Sequence, residues 1–390
     1  MNPILLLAIL TALVGLLWRL EAHPFSNRWF RILPLPFWCY MLPMLGTTLG
    51  WLPSENRLYP FLSQQLLPIC LVLLLINADL KGLVRLGPLA IKLMLIGSAG
   101  TIAGGLIGFA LYRRWLPAGS WAGVGALTAS WIGGSANLLA VKEALQVPDP
   151  LIAPIILVDA VVAYSWMAFL VWGASLKEWW QEFAGTGIEA AHQPAIGIIR
   201  AGGNADPLTR TARFPRLISV LGLSLLVSGL AQIASRWLPT VGQGITASTW
   251  TVLLVTTTTL ALSLTPLREL GQAGSSRTGT FALFLLLASI GARANFRAIL
   301  DAPAFLALGV TWILIHGGCL VLAGYWLKAP LGLMATASQA NIGGPISAPI
   351  VGATYDADLA GIGLLMAILG NVLGTYLGLA TALLTRSFSF

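Results

Sequence analysis

The chain has 390 residues, of which 57% are hydrophobic and 9% charged, with a formal net charge of +8. Soluble globular domains carry about 25% charged residues, so this composition excludes one and points to a polytopic integral membrane protein. The positive charge does not indicate nucleic acid: its Lys and Arg residues are scattered through short loops between apolar stretches, where they act as topology determinants.

A helix needs roughly 20 residues to cross the hydrocarbon core. In chain order, apolar stretches of about that length lie near 3–20, 32–52, 58–78, 88–112, 121–146, 151–175, 215–238, 245–267, 278–292, 303–327, 331–355 and 359–385. The expected fold is all-α, with about 12 hydrophobic segments in two structural repeats. The run from Pro3 to Trp18 has no basic region ahead of it and no clear cleavage site after it, and reads as a retained helix rather than a signal peptide. Residues 1–175 and 215–390 form the two halves. Residues 176–214 read as a polar interfacial linker, opening with Lys177, Glu178, Trp179 and Trp180 and ending in the basic cluster Arg210, Arg213 and Arg216. Cys39, Cys70 and Cys319 stand singly in apolar stretches, which supports neither a disulfide framework nor a metal site.

Two of the segments carry the same defect. Thr128 to Asn137 reads TASWIGGSAN and Thr336 to Pro345 reads TASQANIGGP, so a Gly-Gly pair sits among small and amide side chains in each. Such a step favours unwinding, and unwound backbone at bilayer depth is tolerated only where protein or a watery cavity satisfies its N–H and C=O groups. The resemblance between halves extends further. Leu73 to Pro88 and Leu286 to Pro303 both end an apolar helix in Ala-Asp or Ala-Asn followed by a basic residue, and Asp159 to Tyr164 matches Asn371 to Tyr376 in spacing. A duplication of at least three consecutive segments follows. If the broken segments cross the membrane, the repeats are parallel; if each dips in and returns as a hairpin, they are inverted. Loop charge favours hairpins, with roughly 13 Lys and Arg on one side against 8, and places the linker and the loop after Asp79 in the cytoplasm.

A broken helix frees N–H groups that favour an anion and C=O groups that favour a cation. Around the first break lie Ser130, Gly133, Gly134, Ser135 and Asn137; around the second lie Ser338, Gln339, Asn341, Gly343, Gly344 and Ser347. Their neutral oxygens and amides suit a dehydrated Na+ or a small polar substrate. Asp159 lies inside an apolar span, where a carboxylate costs roughly 2.5–3.5 kcal/mol to insert. It is the expected ligand for Na+ or carrier of H+, with Asn371 as its uncharged counterpart. The simpler reading makes it a protonated acid bonded to a neighbouring helix. His316, also within a span, either relays protons or satisfies one hydrogen bond between helices. Lys92 can snorkel from one turn inside its span, and Gly104-Gly105 and Gly317-Gly318 read as close helix packing.

The segments ASWIGGSANLLAVKEAL (129–145), TASQANIGGPISAPIVGA (336–353) and LLLINADLKGL (73–83) resemble the membrane-protein family catalogued as domain of unknown function 819, which occurs in bacteria and plants. At fold level the resemblance extends to cation:proton antiporters and to bile-acid, glutamate and 2-hydroxycarboxylate symporters. It implies two inverted repeats and a core with broken helices that moves against a scaffold. The family's positions carried over are the two Gly-Gly segments.

The function expected is ion-coupled, alternating-access transport of a small polar or anionic organic solute, bound where the two broken helices meet. Two other classes compete. Gly133-Gly134-Ser135-Ala136 fits the short GxSx pattern of intramembrane serine proteases, with Ser135 as nucleophile, and a channel or lipid-translocating protein is the third reading. No enzymatic activity and no cofactor beyond Na+ or H+ are expected. The expected partners are the substrate, the bilayer and a second copy in a homodimer, in a bacterial inner membrane or a plastid membrane.

Overall fold

The structure is a computed structural model that describes residues 1–23, 30, 35–185, 210–241, 245–272, 274–294 and 302–387. Its principal helices are α1 (Pro3–Ala22), α2 (Leu35–Thr48), α3 (Leu58–Leu75, with a π-helical turn at Leu62–Leu66), α4 (Pro88–Tyr112), α5 (Ser120–Gly133) and α6 (Ser135–Ala144). They continue as α7 (Asp149–Trp172), α8 (Lys177–Ala184), α9 (Arg210–Ser235), α10 (Ala247–Ser263), α11 (Ser275–Gly291) and α12 (Ala302–Trp326). The last three are α13 (Leu331–Ile342), α14 (Gly344–Tyr355) and α15 (Leu359–Arg386). Seven helical stretches among the described residues are long and apolar enough to cross a membrane. Most of the expected linker, residues 186–209, lies outside the described residues, as do the side chains of Arg210 and Arg213.

Packing sorts these helices into two groups. The first group joins α1, α2, α3, α9, α10 and α11: α11 packs on α1, α2 and α3, while α9 and α10 pack on each other and on α3. The second joins α4 to α7 with α12 to α15, through the pairs α5 with α15, α4 with α12, and α14 with α15. Fewer contacts cross between the groups, chiefly α6 with α10.

Both Gly-Gly segments fold back on themselves. Gly332, near the start of α13, lies against Tyr355 at the end of α14, where a Cβ built on the glycine would sit 2.7 Å from the tyrosine Cβ. In α5 and α6, Gly119 and Gly123 at the outer end meet Leu151 and Ile155, just past the short loop that follows α6. Each pair is therefore a hairpin with its tip at Gly-Gly, and the hairpins enter from opposite ends of the molecule. At one end, Ala144 and Gln146 of the first hairpin meet Thr249 and Ser248 at the start of α10. At the other, Lys177 and Trp180 of α8 bond to carbonyls of Tyr355 and Ala329 beside the second hairpin.

Small residues bring these backbones together. Gly370, Gly374 and Gly378 of α15 lie one helical turn apart and face Gly125, Ala129 and Gly133 of α5; a side chain at Gly374 would come within 2.9 Å of the Gly133 Cα. On α4, Gly104 and Gly105 accept the Trp312 indole. Gly317 likewise meets the Trp166 ring, but Gly318 faces open space, so only the first of that pair has the packing role expected of both. Such stripes let helices approach where lipid supplies no hydrophobic drive.

One end holds a buried ion cluster. Lys142 of α6, 4% exposed, pairs with Glu143 at 2.8 Å and Asp149 at 3.1 Å, and Arg293 reaches Asp149 at 2.8 Å. Asp149 begins α7 and Arg293 follows α11, so the cluster bridges the two helix groups.

The hairpin predicts a cross-link. Residues 332 and 355 would be about 35 Å apart in a continuous helix, so oxidation of a Gly332→Cys/Tyr355→Cys double variant should give the linked peptide by mass spectrometry. A crossing helix would give none.

Candidate functional site

The first tip forms because Gly134 adopts φ +81° and ψ 175°, a conformation costly for any side-chain-bearing residue, and α5 stops there. The Gly134 N–H closes on the Ser130 carbonyl at 2.6 Å. Asn137 then braces the turn: its Nδ2 donates to the Gly133 carbonyl at 2.6 Å and to the Asn371 carbonyl at 3.3 Å, while its Oδ1 accepts from the Thr375 hydroxyl. The N–H groups of Ser135 and Ala136 lie in the first turn of α6, where a helix has no internal partner for them. Ser135 is half-buried at this tip, and the Asn371 side-chain oxygen approaches Gly134 from α15.

Asp159 stands beside the tip rather than in a lipid-facing position. The Ser130 hydroxyl lies 3.1 Å from both of its carboxyl oxygens. The Trp131 indole N–H faces the same carboxyl without reaching hydrogen-bond geometry, and this fully buried donor has no other partner. No group of three His, Cys, Asp or Glu side chains suited to a metal ion occurs among the described residues, so any cation held by Asp159 would take its remaining ligands from hydroxyls, amides and carbonyls.

The second tip turns at Gly343 and Gly344, the latter at φ +68°. Gln339 and Ser347 close over it, one from each arm: Gln339 Nε2 donates to Ser347 Oγ at 2.8 Å, and Gly343 leaves the room beneath them that a side chain would fill. Gln339 Oε1 is buried and unpartnered. Ser338 and Asn341, on the same arm, face other helices. Asn341 accepts from Ser98 at 2.8 Å and donates to the carbonyls of Ala337 and Met94, so its amide is committed to holding α13 on α4.

His316 completes this anchorage. Its Nδ1 lies 2.9 Å from the Gly97 carbonyl, which requires a proton on that nitrogen, and its Nε2 therefore accepts the Ser338 hydroxyl at 2.9 Å. The Trp166 indole donates to the same Ser338 oxygen at 2.8 Å, and Thr101 lies 3.0 Å from Nδ1. The lone histidine thus joins several groups where the sequence accounted for one. No hydrogen bond links it to Ser135.

Three helices connect the tips. α4 holds Asn341 through Met94 and Ser98 while the Met94 methyl meets Gly370 beside the first tip. α7 offers Asp159 to the first hairpin and Trp166 to the second. α15 packs Gly370 and Gly374 on the first hairpin and Gly363 on Thr336 and Ala348 of the second. Sequence reasoning missed Ser98, Thr101 and Trp166. The first two carried a signal as hydroxyls in an apolar span; Trp166 was indistinguishable from the interfacial tryptophans. Two surface clefts, lined by Arg216, Thr265 and Glu269 and by Asn77, Arg268 and Arg277 respectively, share no residue with either tip.

Residues 6–388 match the family described as protein of unknown function, DUF819. The chain is also similar to the uncharacterized membrane protein YjcL of Bacillus subtilis (strain 168), with 25% identity over 355 residues covering 86% of each chain.

Removing the brace should loosen the first tip. Asn137→Ala strands two carbonyls and a hydroxyl and should cost about 1–3 kcal/mol, read as a lowered unfolding midpoint in detergent. Gly318→Ala, whose added methyl meets nothing, should leave that midpoint unchanged.

Proposed function

The chain belongs to the DUF819 family of proteins, and we propose that it is an ion-coupled secondary transporter working by alternating access. The observation that carries this reading is the pair of hairpins that enter from opposite ends and place their Gly-Gly turns among Ser130, Ser135, Asn137, Gln339 and Ser347. We read α7 and α9 to α12 as five crossings between the hairpins, which makes the two halves inverted repeats, and such repeats in one chain are the habit of carriers rather than of channel rings.

The ligand is a small polar or anionic organic solute held between the tips. The start of α6 offers its first-turn N–H groups and the positive end of its dipole. Asp159, with Ser130 and the idle Trp131 N–H around it, sets coupling to Na+ or H+. The hairpins, α4, α7, α12 and α15 form the moving core, and the group built from α1–α3 and α9–α11 is the scaffold. The end that carries α8 faces the cytoplasm, in keeping with its larger share of Lys and Arg. A bacterial inner membrane is the setting in keeping with the Bacillus relative.

Reconstitution in liposomes tests this. A carrier gives saturable uptake driven by an ion gradient; ohmic current would replace the reading with a channel, and peptide cleavage lost in Ser135→Ala would replace it with a protease. Asp159→Asn keeps an acceptor for the Ser130 hydroxyl and should fold, yet uptake should lose its response to the driving ion gradient by tenfold or more, about 1.4 kcal/mol. Unchanged ion dependence would remove Asp159 from coupling.

A further inference from the structure

The two tips differ in the sign of what they leave unsatisfied. At the first the buried side-chain atom without a hydrogen bond is a donor, Trp131 Nε1, which faces the Asp159 carboxyl; at the second it is an acceptor, Gln339 Oε1, in a residue only 1% exposed. Buried polar atoms are almost always paired, and an unpaired one in a folded protein marks a place where another group belongs.

More acceptors gather around Gln339. Its own NH2 is spent on Ser347 Oγ, which keeps a lone pair free. The Gly343 N–H takes the Gln339 carbonyl, and the carbonyls of Ala340, Asn341 and Ile342 belong to the last turn of α13, where a helix supplies no partner of its own. These groups lie at the C-terminal end of α13, the negative end of its dipole. Pro345 removes one N–H at the position where the first tip has Ser135.

We propose that the second hairpin tip binds a monovalent hard cation, Na+, through Gln339 Oε1, Ser347 Oγ and last-turn carbonyls of α13. The ligand set is oxygen throughout, as a hard cation requires. It is also uncharged: no carboxylate is bonded into the tip among the described residues. That favours an alkali ion over Ca2+ or Mg2+, whose double charge in a low-dielectric site calls for anionic ligands. The opposite orientation of the Gln339 amide would leave an idle donor instead and select an anion. This inference rests on the transporter reading for its purpose, supplying that carrier with its coupling ion, but the site itself can be tested without transport.

The full chain in detergent is heated in NaCl, choline chloride, CaCl2 or sodium gluconate at matched ionic strength. Na+ should raise the unfolding midpoint over choline in a saturable way, by mass action. Gln339→Leu should abolish that shift, and Ser347→Ala should weaken the apparent Na+ affinity about tenfold. If Gln339→Leu does not fold, Ser347→Ala and Gly343→Ala, whose methyl would enter the space under Gln339 and Ser347, carry the same test. A shift equal in choline, one that follows chloride rather than Na+, or one that survives these substitutions overturns the proposal. A Na+ shift lost in the variants, combined with no gradient-driven uptake in liposomes, leaves the site standing and removes the carrier. Uptake without a Na+ shift does the reverse.

Discussion

Peptide groups cannot be left bare in hydrocarbon, and the rest of this architecture answers to that constraint. Two Gly-Gly steps unwind helices that would otherwise satisfy themselves, and each tip is surrounded by devices that deal with the consequence. Asn137 reaches back to the Gly133 carbonyl and across to Asn371. Gln339 and Ser347 bond to each other over the second turn. The glycine stripe of α15 lets its backbone lie directly on α5, so that little else intrudes around the first tip. The buried side-chain atoms left without a hydrogen bond there are Trp131 Nε1 and Gln339 Oε1, the places where the proposed solute or ion would have something to gain.

The two hairpins are not held alike. The first is braced mainly from α15, through Thr375 and the Asn371 carbonyl. The second is tied by side chains to α4, α7 and α12, with Ser338 receiving the Trp166 indole and giving its proton to His316. The Gly97 carbonyl fixes which nitrogen of that histidine carries hydrogen, and therefore which way the serine hydroxyl points. The two similar Gly-Gly segments thus have separate surroundings, with Asp159 beside the first tip and the committed amide of Asn341 beside the second.

Much of this was legible in the amino-acid order, for identifiable reasons. Apolar length located the helices: α4 spans Pro88–Tyr112, where the hydrophobic run begins and ends. Glycine located the breaks, since positive φ at Gly134 and Gly344 is what a Gly-Gly step allows. Whether a broken segment crosses or returns was not legible, because both forms have the same composition; the decision lies in Gly332 meeting Tyr355. Nor was the role of Asn341 separable from that of Gln339. Both are amides in one turn, and only the rotation of α13 assigns the first to Ser98 and leaves the second idle. Lys142 reads with the other basic residues as a topology determinant, although its ammonium is buried between two carboxylates.

That buried lysine gives the boundary between the two helix groups unequal ends. Where α6 and α7 meet the loop after α11, the joint is ionic: Asp149 sits between Lys142 and Arg293. Toward the other end the same boundary is greasy, with Leu75, Ala78 and Leu260 packed on Ile368 and Val372. Parting the groups breaks only the Asp149–Arg293 contact: the carboxylate keeps Lys142, on its own side, and the guanidinium, already 31% exposed, passes to water, at about 0–1 kcal/mol; parting the leucines merely wets them. Both edges of the boundary can therefore part at small cost, one by hydrating a guanidinium and the other by wetting leucines.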